Sequence, residues 1–339
     1  MKNVFTFLLL LFSLLCNGQS PKLFTTDKEL SSSLINQIYQ DRNGFIWIAT
    51  EDGLNRYDGA KFTIYKHEPN NEHSLAHNFV RTVFEDSKGH LLIGTYIGIQ
   101  MYDPATDNFT PLAKLEDTGE TLESNINSFI ERKNGEIWVS GNVLCKLDIK
   151  DHLLTVRKVD IAVTSPGSLF EDKKQNVWMA KGEEGVYQLT PDNQLTLHLS
   201  KDNGYVKSIC EDQRGNIYIG SIRKGLFIYD KERKTFVPID LKEKGELPVC
   251  FLYSGIPNEL YIGTDGKGVV IYNIRTHEIS EYKFDNNYFD SGNSKIHSIL
   301  KDNSGNLWLA VYQKGVILIP ARTNSFKSVS YTHLTLPTQ

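Results

Sequence analysis

The sequence predicts an all-β fold, a seven-bladed β-propeller built from four-stranded antiparallel blades. Three observations carry that prediction. One pattern recurs seven times, first as QDRNGFIWIATEDGLNRYDG at Gln40–Gly59, and its aromatic slot returns every 40 to 47 residues (Trp47, Leu92, Trp138, Trp178, Tyr218, Tyr261, Trp308). Each copy holds four short runs of alternating apolar and polar residues bounded by Gly, Asn, Asp and Pro, the mark of half-buried strands. Helical periodicity is absent. Four strands at this spacing is the period of a propeller blade, and seven set radially bury the faces that one blade leaves open. A solenoid would need capping units, and separate sandwiches would not hold one steady period.

The elements follow in chain order. Residues 1–18 read as a cleaved signal peptide. Lys2 precedes an apolar run, Val4–Leu15, that is shorter than the roughly 20 residues a bilayer core requires. Cleavage after Gly18 frees Gln19. The rival, a lipoprotein signal acylated on Cys16, wants a small residue before the cysteine, where Leu15 is bulky. The propeller spans 19–329, with blades near 31–66, 74–112, 124–155, 164–198, 204–239, 247–284 and 294–329.

Within a copy, an apolar strand such as Leu34–Gln40 leads through a tight Asp-x-x-Gly turn into a strand ending in Gly-Thr or its equivalent (Phe45–Thr50, Leu91–Thr95). A Gly-containing turn precedes the third strand (Leu54–Asp58), and the fourth (Lys61–Lys66) carries Phe or Tyr. A ring must also close, because open ends expose strand edges. Lys22–Thr26 resembles a fourth strand and would close it beside the last blade; Ser325–Val329 is the competing closure. Residues 330–339 match no part of the repeat and read as a foreign tail, so the chain is expected to be an N-terminal fragment.

With 40% hydrophobic and 11% aromatic residues and a formal net charge of −4, the chain has the profile of a soluble globular protein. Lys and Arg are scattered, which argues against a nucleic-acid track or a basic membrane patch. Cys145, Cys210 and Cys250 remain after the signal, an odd number without CxxC spacing and so no disulfide framework. Cys250 is read as a buried small residue at a position where other copies carry Ser or Thr.

Several motifs invite chemistry and fall short of it. Asp41 and Asn43 suggest a calcium loop, but Phe45 and Trp47 follow and no acidic residue closes the ligand set. The same turn degrades to Gln175-Asn176 and Pro257-Asn258 elsewhere, which fits an Asp accepting backbone N–H groups beside a positive-φ Gly. Asp-rich turns also occur in propeller sialidases, yet Arg56, Arg81 and Arg223 occupy different repeat positions and form no visible triad. His73 and His77 lie in a polar loop without a helix or an HExxH glutamate, so no metal is expected. No GxSxG or Cys–His arrangement is present, and GTDGKG (Gly263–Gly268) lacks the helix a phosphate loop needs. No cofactor and no catalytic residue are expected.

The copies D41RNGFIWIATEDGLNRYDG59, D86SKGHLLIGTYIGIQMYD103 and D302NSGNLWLAVYQKGV316, with the lead-in Asn71-Glu72-His73-Ser74-Leu75, resemble the two-component regulator propeller repeat. The resemblance covers nearly all of the chain beyond the signal. It implies the exported, periplasmic sensor half of a hybrid two-component system from a glycan-degrading Gram-negative bacterium. In that family two such propellers and an immunoglobulin-like domain precede a membrane helix, a histidine kinase, a receiver and a DNA-binding domain. The implied ligand is an oligosaccharide from polysaccharide breakdown, and the implied partners are the other sensor modules and a second copy of the chain. Those further modules are not in these 339 residues.

Recognition is therefore expected where loops diversify on a constant scaffold. Loops joining blade to blade, and those joining second to third strands, share one face of a propeller. The candidate ligand-binding residues are Asn36, Glu51, Asp52, Arg56, Asn78, Arg81, Tyr96, Asn127, Arg223, Asp265, Tyr312 and Gln313. Sugars are held by aromatic faces and planar polar groups, which this set supplies. A scaffold propeller without a small ligand is the alternative, and a glycosidase or lyase is third.

Overall fold

The computed structural model describes residues 20–198, 204–240, 247–284 and 287–321. The proposed signal, the segment Ser325–Val329 and the tail lie outside them. Seven sheets form; five hold four antiparallel strands in sequence order, and the sheets of blades 3 and 7 each take in one strand from elsewhere in the chain. Blade 1 comprises Ile35–Gln40, Ile46–Thr50, Gly53–Tyr57 and Phe62–Tyr65, and blades 2 to 7 repeat it with first strands Val80–Glu85, Ser128–Glu131, Leu169–Glu171, Val206–Glu211, Val249–Ile256 and Ile296–Lys301. These first strands neighbour one another around the ring at all seven junctions, blade 7 meeting blade 1.

The slot residues explain why the sheets stack. Each junction holds one apolar cluster with one slot side chain in it: Trp47 between blades 1 and 2, Leu92 next, then Trp138, Trp178, Tyr218, Tyr261 and Trp308. Trp47, Trp178 and Trp308 are fully buried, and a buried aromatic side chain is among the largest single apolar contributions a core residue makes. The Gly of the Gly-Thr ending has a packing reason. A Cβ on Gly94 would lie 2.6 Å from Ile126, and one on Gly220 would lie 2.3 Å from Val249. Each glycine lets the next blade approach, through Val249 of its first strand in one case and Ile126 just before that strand in the other.

Polar groups stitch the junctions as well. Gln37, Ser208 and Ser298 are the third residues of their first strands, and Ser128 opens its own. Their side-chain oxygens accept the backbone N–H of Val83, Leu169, Leu252 and Ile38 in the following blade, at 2.6, 3.3, 3.1 and 3.2 Å.

Closure uses the N-terminal strand. Lys22–Phe24 pairs antiparallel with Val316–Leu318, completing blade 7 as its fourth strand. Phe24 is fully buried and stacks on Trp308 with centroids 5.8 Å apart. Blade 3 departs from the four-strand expectation: Lys114–Leu115, from the long connection after blade 2, adds a fifth strand parallel to Leu153–Lys158.

Candidate functional site

The two ends of the ring differ in what their residues are committed to. At one end lie the Asp-x-x-Gly turns. Asp41 Oδ1 accepts the N–H groups of Asn43 and Phe45, both at 3.0 Å, and its Oδ2 takes the Trp47 indole N–H at 2.8 Å. Asp172–Trp178 and Asp302–Trp308 repeat the indole bond at 2.9 and 2.8 Å, and Asp212 takes the Tyr218 hydroxyl at 3.2 Å. Blade 3 has Arg132 at this position. There Glu136 receives the Trp138 indole at 3.0 Å and pairs with Lys146. Burial raises the Glu136 carboxyl, but Lys146, Trp138 and Asn134 outweigh it and hold the group down to about 2.

The residue before the Asp binds the neighbouring blade. Glu85 accepts the Arg42 N–H at 2.7 Å, Glu131 that of Ser87 at 2.7 Å, and Glu171 that of Lys133 at 2.7 Å, while Gln40 accepts from Asn303 at 2.7 Å. The carboxylates of this end are thus used in holding the fold. No group of three or more His, Cys, Asp or Glu able to hold a metal occurs among the described residues.

The opposite end is built differently. In blades 1, 2, 5, 6 and 7 the pairing of first and second strands slips by one residue at Asn36, Arg81, Lys207, Cys250 and His297. Counted back from the turn, Asn127 and Gly167 hold the same position in blades 3 and 4. A bulge leaves one residue outside the ladder and re-aims its side chain, a device frequent beside functional sites. The chain therefore sets an inner tier of seven residues of six types around the channel mouth.

The second-to-third-strand turns form an outer tier. Five of the seven are pinned alike: Glu51, Tyr96, Ile222, Asp265 and Tyr312 donate their N–H groups to the carbonyls of Leu34, Phe79, Tyr205, Pro248 and Lys295, all at 3.0 to 3.1 Å. With the backbone fixed, side chains vary without cost to the fold.

Most of the candidates from the sequence meet at this end. Asn36, Arg81 and Asn127 belong to the inner tier. Glu51, Asp52, Tyr96, Arg223, Asp265, Tyr312 and Gln313 stand on the outer one. Asn78 ties the loop beneath, donating to Asp52 at 3.1 Å and accepting from His67 N–H at 2.7 Å. Arg56 is elsewhere. It lies within the junction of blades 1 and 2, against the rings of Phe45, Trp47, Tyr65 and Tyr102, and bonds the Tyr102 hydroxyl and Asp107.

Sequence reasoning missed Lys207, Cys250, His297, Lys295 and Asn125. Aligning the copies on the aromatic slot would have put the first three in one column with Asn36 and Arg81. Cys250 is accordingly not at a Ser/Thr position; that slot is one residue later and holds Thr82, Ser208 and Ser298, with Phe251 in blade 6. Cys250 is buried, as are Cys145 and Cys210.

Electrostatics at the mouth are distinctive around blades 5 to 7. Burial pushes the His297 imidazole down to about 4, helped by the charges of Lys207 and Lys295 and opposed by Asp265. Its ring lies 5.0 Å from that of Tyr312. Lys295 Nζ is 2.8 Å from Asp265 Oδ1, and Arg223 is 3.6 Å from Glu183. On the far side, Arg81 donates to Asn127 Oδ1 at 3.0 Å and its guanidinium lies over Phe79. Arg81 Nε and Asn125 Oδ1 are buried without a hydrogen-bond partner among the described residues. Tyr96 and Tyr205 are 53% and 46% exposed, so aromatic faces border the polar groups. Among the described residues no Ser or Cys nucleophile is hydrogen-bonded to a histidine at this mouth.

Three segments, 29–52, 74–96 and 200–223, match the family model described as two component regulator propeller. Over those three segments the chain is similar to the two-component regulator propeller repeat. A curated relative, histidine kinase P4 of Formosa agariphila, is 37% identical over 83 residues, 22% of this chain and 6% of that protein. The extracellular domain of a hybrid two component system from B. thetaiotaomicron superposes with TM-score 0.75 at 21% identity, over 89% of this chain and 42% of that one. The virginiamycin B lyase of Staphylococcus aureus superposes with TM-score 0.66 at 13% identity, over 88% and 98%. The chain spans less than half the length of the ectodomain and a small part of the kinase it matches. At these identities the two superpositions establish the ring and nothing finer, and a ring shared by a sensor domain and a lyase leaves chemistry to the site.

Proposed function

We propose that this chain is a ligand-binding propeller of an exported, periplasmic sensor and that it recognises an oligosaccharide at the channel mouth. The observation that carries the reading is the inner tier: five bulged positions bearing five different side chains on one repeated scaffold. Turns pinned by main-chain bonds and bordered by exposed Tyr96 and Tyr205 suit pyranose rings, which offer C–H faces and hydroxyls together. Signalling would pass to other modules of the same sensor, with ligand shifting their placement in a homodimer through its differential affinity for two arrangements. No cofactor enters, and the chain itself acts by binding rather than turnover.

Calorimetric titration of the folded propeller with a panel of oligosaccharides tests this. Micromolar binding that is weakened by Arg81→Ala and unaffected by Arg56→Lys supports a mouth site. If no saccharide binds, the sensor reading falls and an interaction scaffold takes its place. Release of product from any glycan by the purified chain would overturn the non-enzymatic reading.

A further inference from the structure

We infer that the saccharide taken by this mouth is acidic, its carboxylate or sulfate ester lying against Lys207 and Arg81. The inference rests on the binding function proposed above and deepens it. Lys207 and Arg81 are the two permanent cations of the inner tier; its other members, Asn36, Asn127, Gly167, Cys250 and His297, include no carboxylate. Blades 2 and 5 are as far apart as a ring of seven allows, so a ligand spanning the channel meets a cation on either wall.

Neither cation is paired with a carboxylate among the described residues. Lys207 is exposed and makes no hydrogen bond or ion pair among the described residues, although its charge is felt by both Cys250 and His297. Among the described residues Arg81 donates at one terminal nitrogen, to the neutral Asn127, and leaves Nε buried and unpaired. Arg56 Nε is also buried and unpaired, inside the junction of blades 1 and 2, but Arg81 Nε belongs to the inner tier, and buried donors without partners are rare enough in native proteins to require an explanation. An incoming oxyanion supplies one, because a guanidinium presents Nε and a terminal nitrogen together as a fork for two oxygens. Asn125 Oδ1, two residues before Asn127 and also buried and unpaired, is an acceptor and suits a sugar hydroxyl rather than the anion.

The acids of the outer tier do not cancel this field. Asp52 is held by Lys66 at 2.6 Å, Asp265 by Lys295 at 2.8 Å, Glu183 by Arg223 at 3.6 Å, and Lys181 lies 2.8 Å from Glu184. Glu51 alone is exposed with no side-chain partner among the described residues, and it belongs to blade 1. The side of the mouth formed by blades 5 to 7 is therefore positive next to the channel, with Tyr312 beside His297 as an apolar wall.

The experiment titrates the chain with trigalacturonate, galactotriose, a sulfated chondroitin disaccharide and inorganic sulfate, each at low and at moderate salt. The expected result is that at least one acidic saccharide binds ten times or more tightly than neutral galactotriose and weakens as salt rises. Lys207→Gln, at an exposed position that leaves the core untouched, should reduce that preference about tenfold. Equal binding of galactotriose and the acidic sugars would overturn the inference and leave the sensor reading standing. Binding of inorganic sulfate as tight as that of either acidic saccharide would support the oxyanion site and overturn the saccharide. Binding of none of the four would overturn both. An acidic preference that Lys207→Gln and Arg81→Gln leave unchanged would remove the anion from this mouth.

Discussion

Asp172→Ala isolates what the turn aspartate contributes. The carboxylate is buried and accepts four bonds: from Lys174 N–H at 2.9 Å, Asn176 N–H at 2.9 Å, Asn176 Nδ2 at 2.8 Å and Trp178 Nε1 at 2.9 Å. Lys174 can turn to water when the carboxylate goes. The other three donors are buried and have nowhere to go. A stranded buried donor costs about 1–3 kcal/mol, and relaxation of the Asn176 side chain favours the low end, giving about 4 kcal/mol in all. Urea unfolding followed by tryptophan fluorescence reads this as a lowered midpoint with an unchanged slope. Pairing the change with Trp178→Phe removes the indole donor, so the double variant should be about 1–2 kcal/mol more stable than additivity requires. A loss below about 1 kcal/mol with no coupling would refute the argument and return Asp172 to being only a turn former.

Phe24→Ala should cost about 3–5 kcal/mol, the range for a buried Phe, and limited proteolysis should then cut first near the closing strand. His297 should titrate near 4 by NMR, and Lys207→Gln should raise that value because it removes a repelling cation. Since the folded imidazole is depressed below its ordinary value, its contribution to stability is complete above about pH 6.5 and is lost as pH falls toward 4. Cys145 and Cys210, pushed up to about 11 and about 12 by burial, should resist a thiol reagent in the folded protein and react on denaturation. Glu131→Gln removes the charge that holds both the N–H and the hydroxyl of Ser87; on an exposed turn it should cost about 1 kcal/mol, measured by the same urea titration.

The ring was legible because its determinants are local and repeated. Trp47 and its six counterparts announce the period, and Asp41 with Gly44 announces the turn. The mouth was half legible. Tyr96, Asp265 and Tyr312 are visible as variation between conserved strands, whereas Lys207 and His297 lie inside strands, and alternation alone does not reveal that a bulge turns them toward the channel. Arg56 misled for a related reason. Its partners Tyr102 and Asp107 belong to the next blade, so a polar residue that looks available in sequence is already enclosed. Lys114–Leu115 escaped because a two-residue parallel strand has no periodicity to detect. The two rival closing segments carry the same alternation, and the structure chooses Lys22–Phe24 through contacts almost the whole chain apart.

That closure has a consequence for how the protein is made. Phe24 opposes Val316, and bringing together residues some 290 positions apart carries a chain-entropy penalty of about 5 kcal/mol. The closing strand must wait, unpaired, until its partner some 290 residues later has been delivered. Gly315 is part of that appointment, since a Cβ there would fall 2.1 Å from the Phe24 carbonyl oxygen. Blades 1 to 6 can assemble progressively while the chain lengthens, yet none of them gains the ring's full rigidity before the clasp shuts. Stability arrives late and all at once, and a chain halted short of its seventh blade is left with two raw edges, each a template for aggregation.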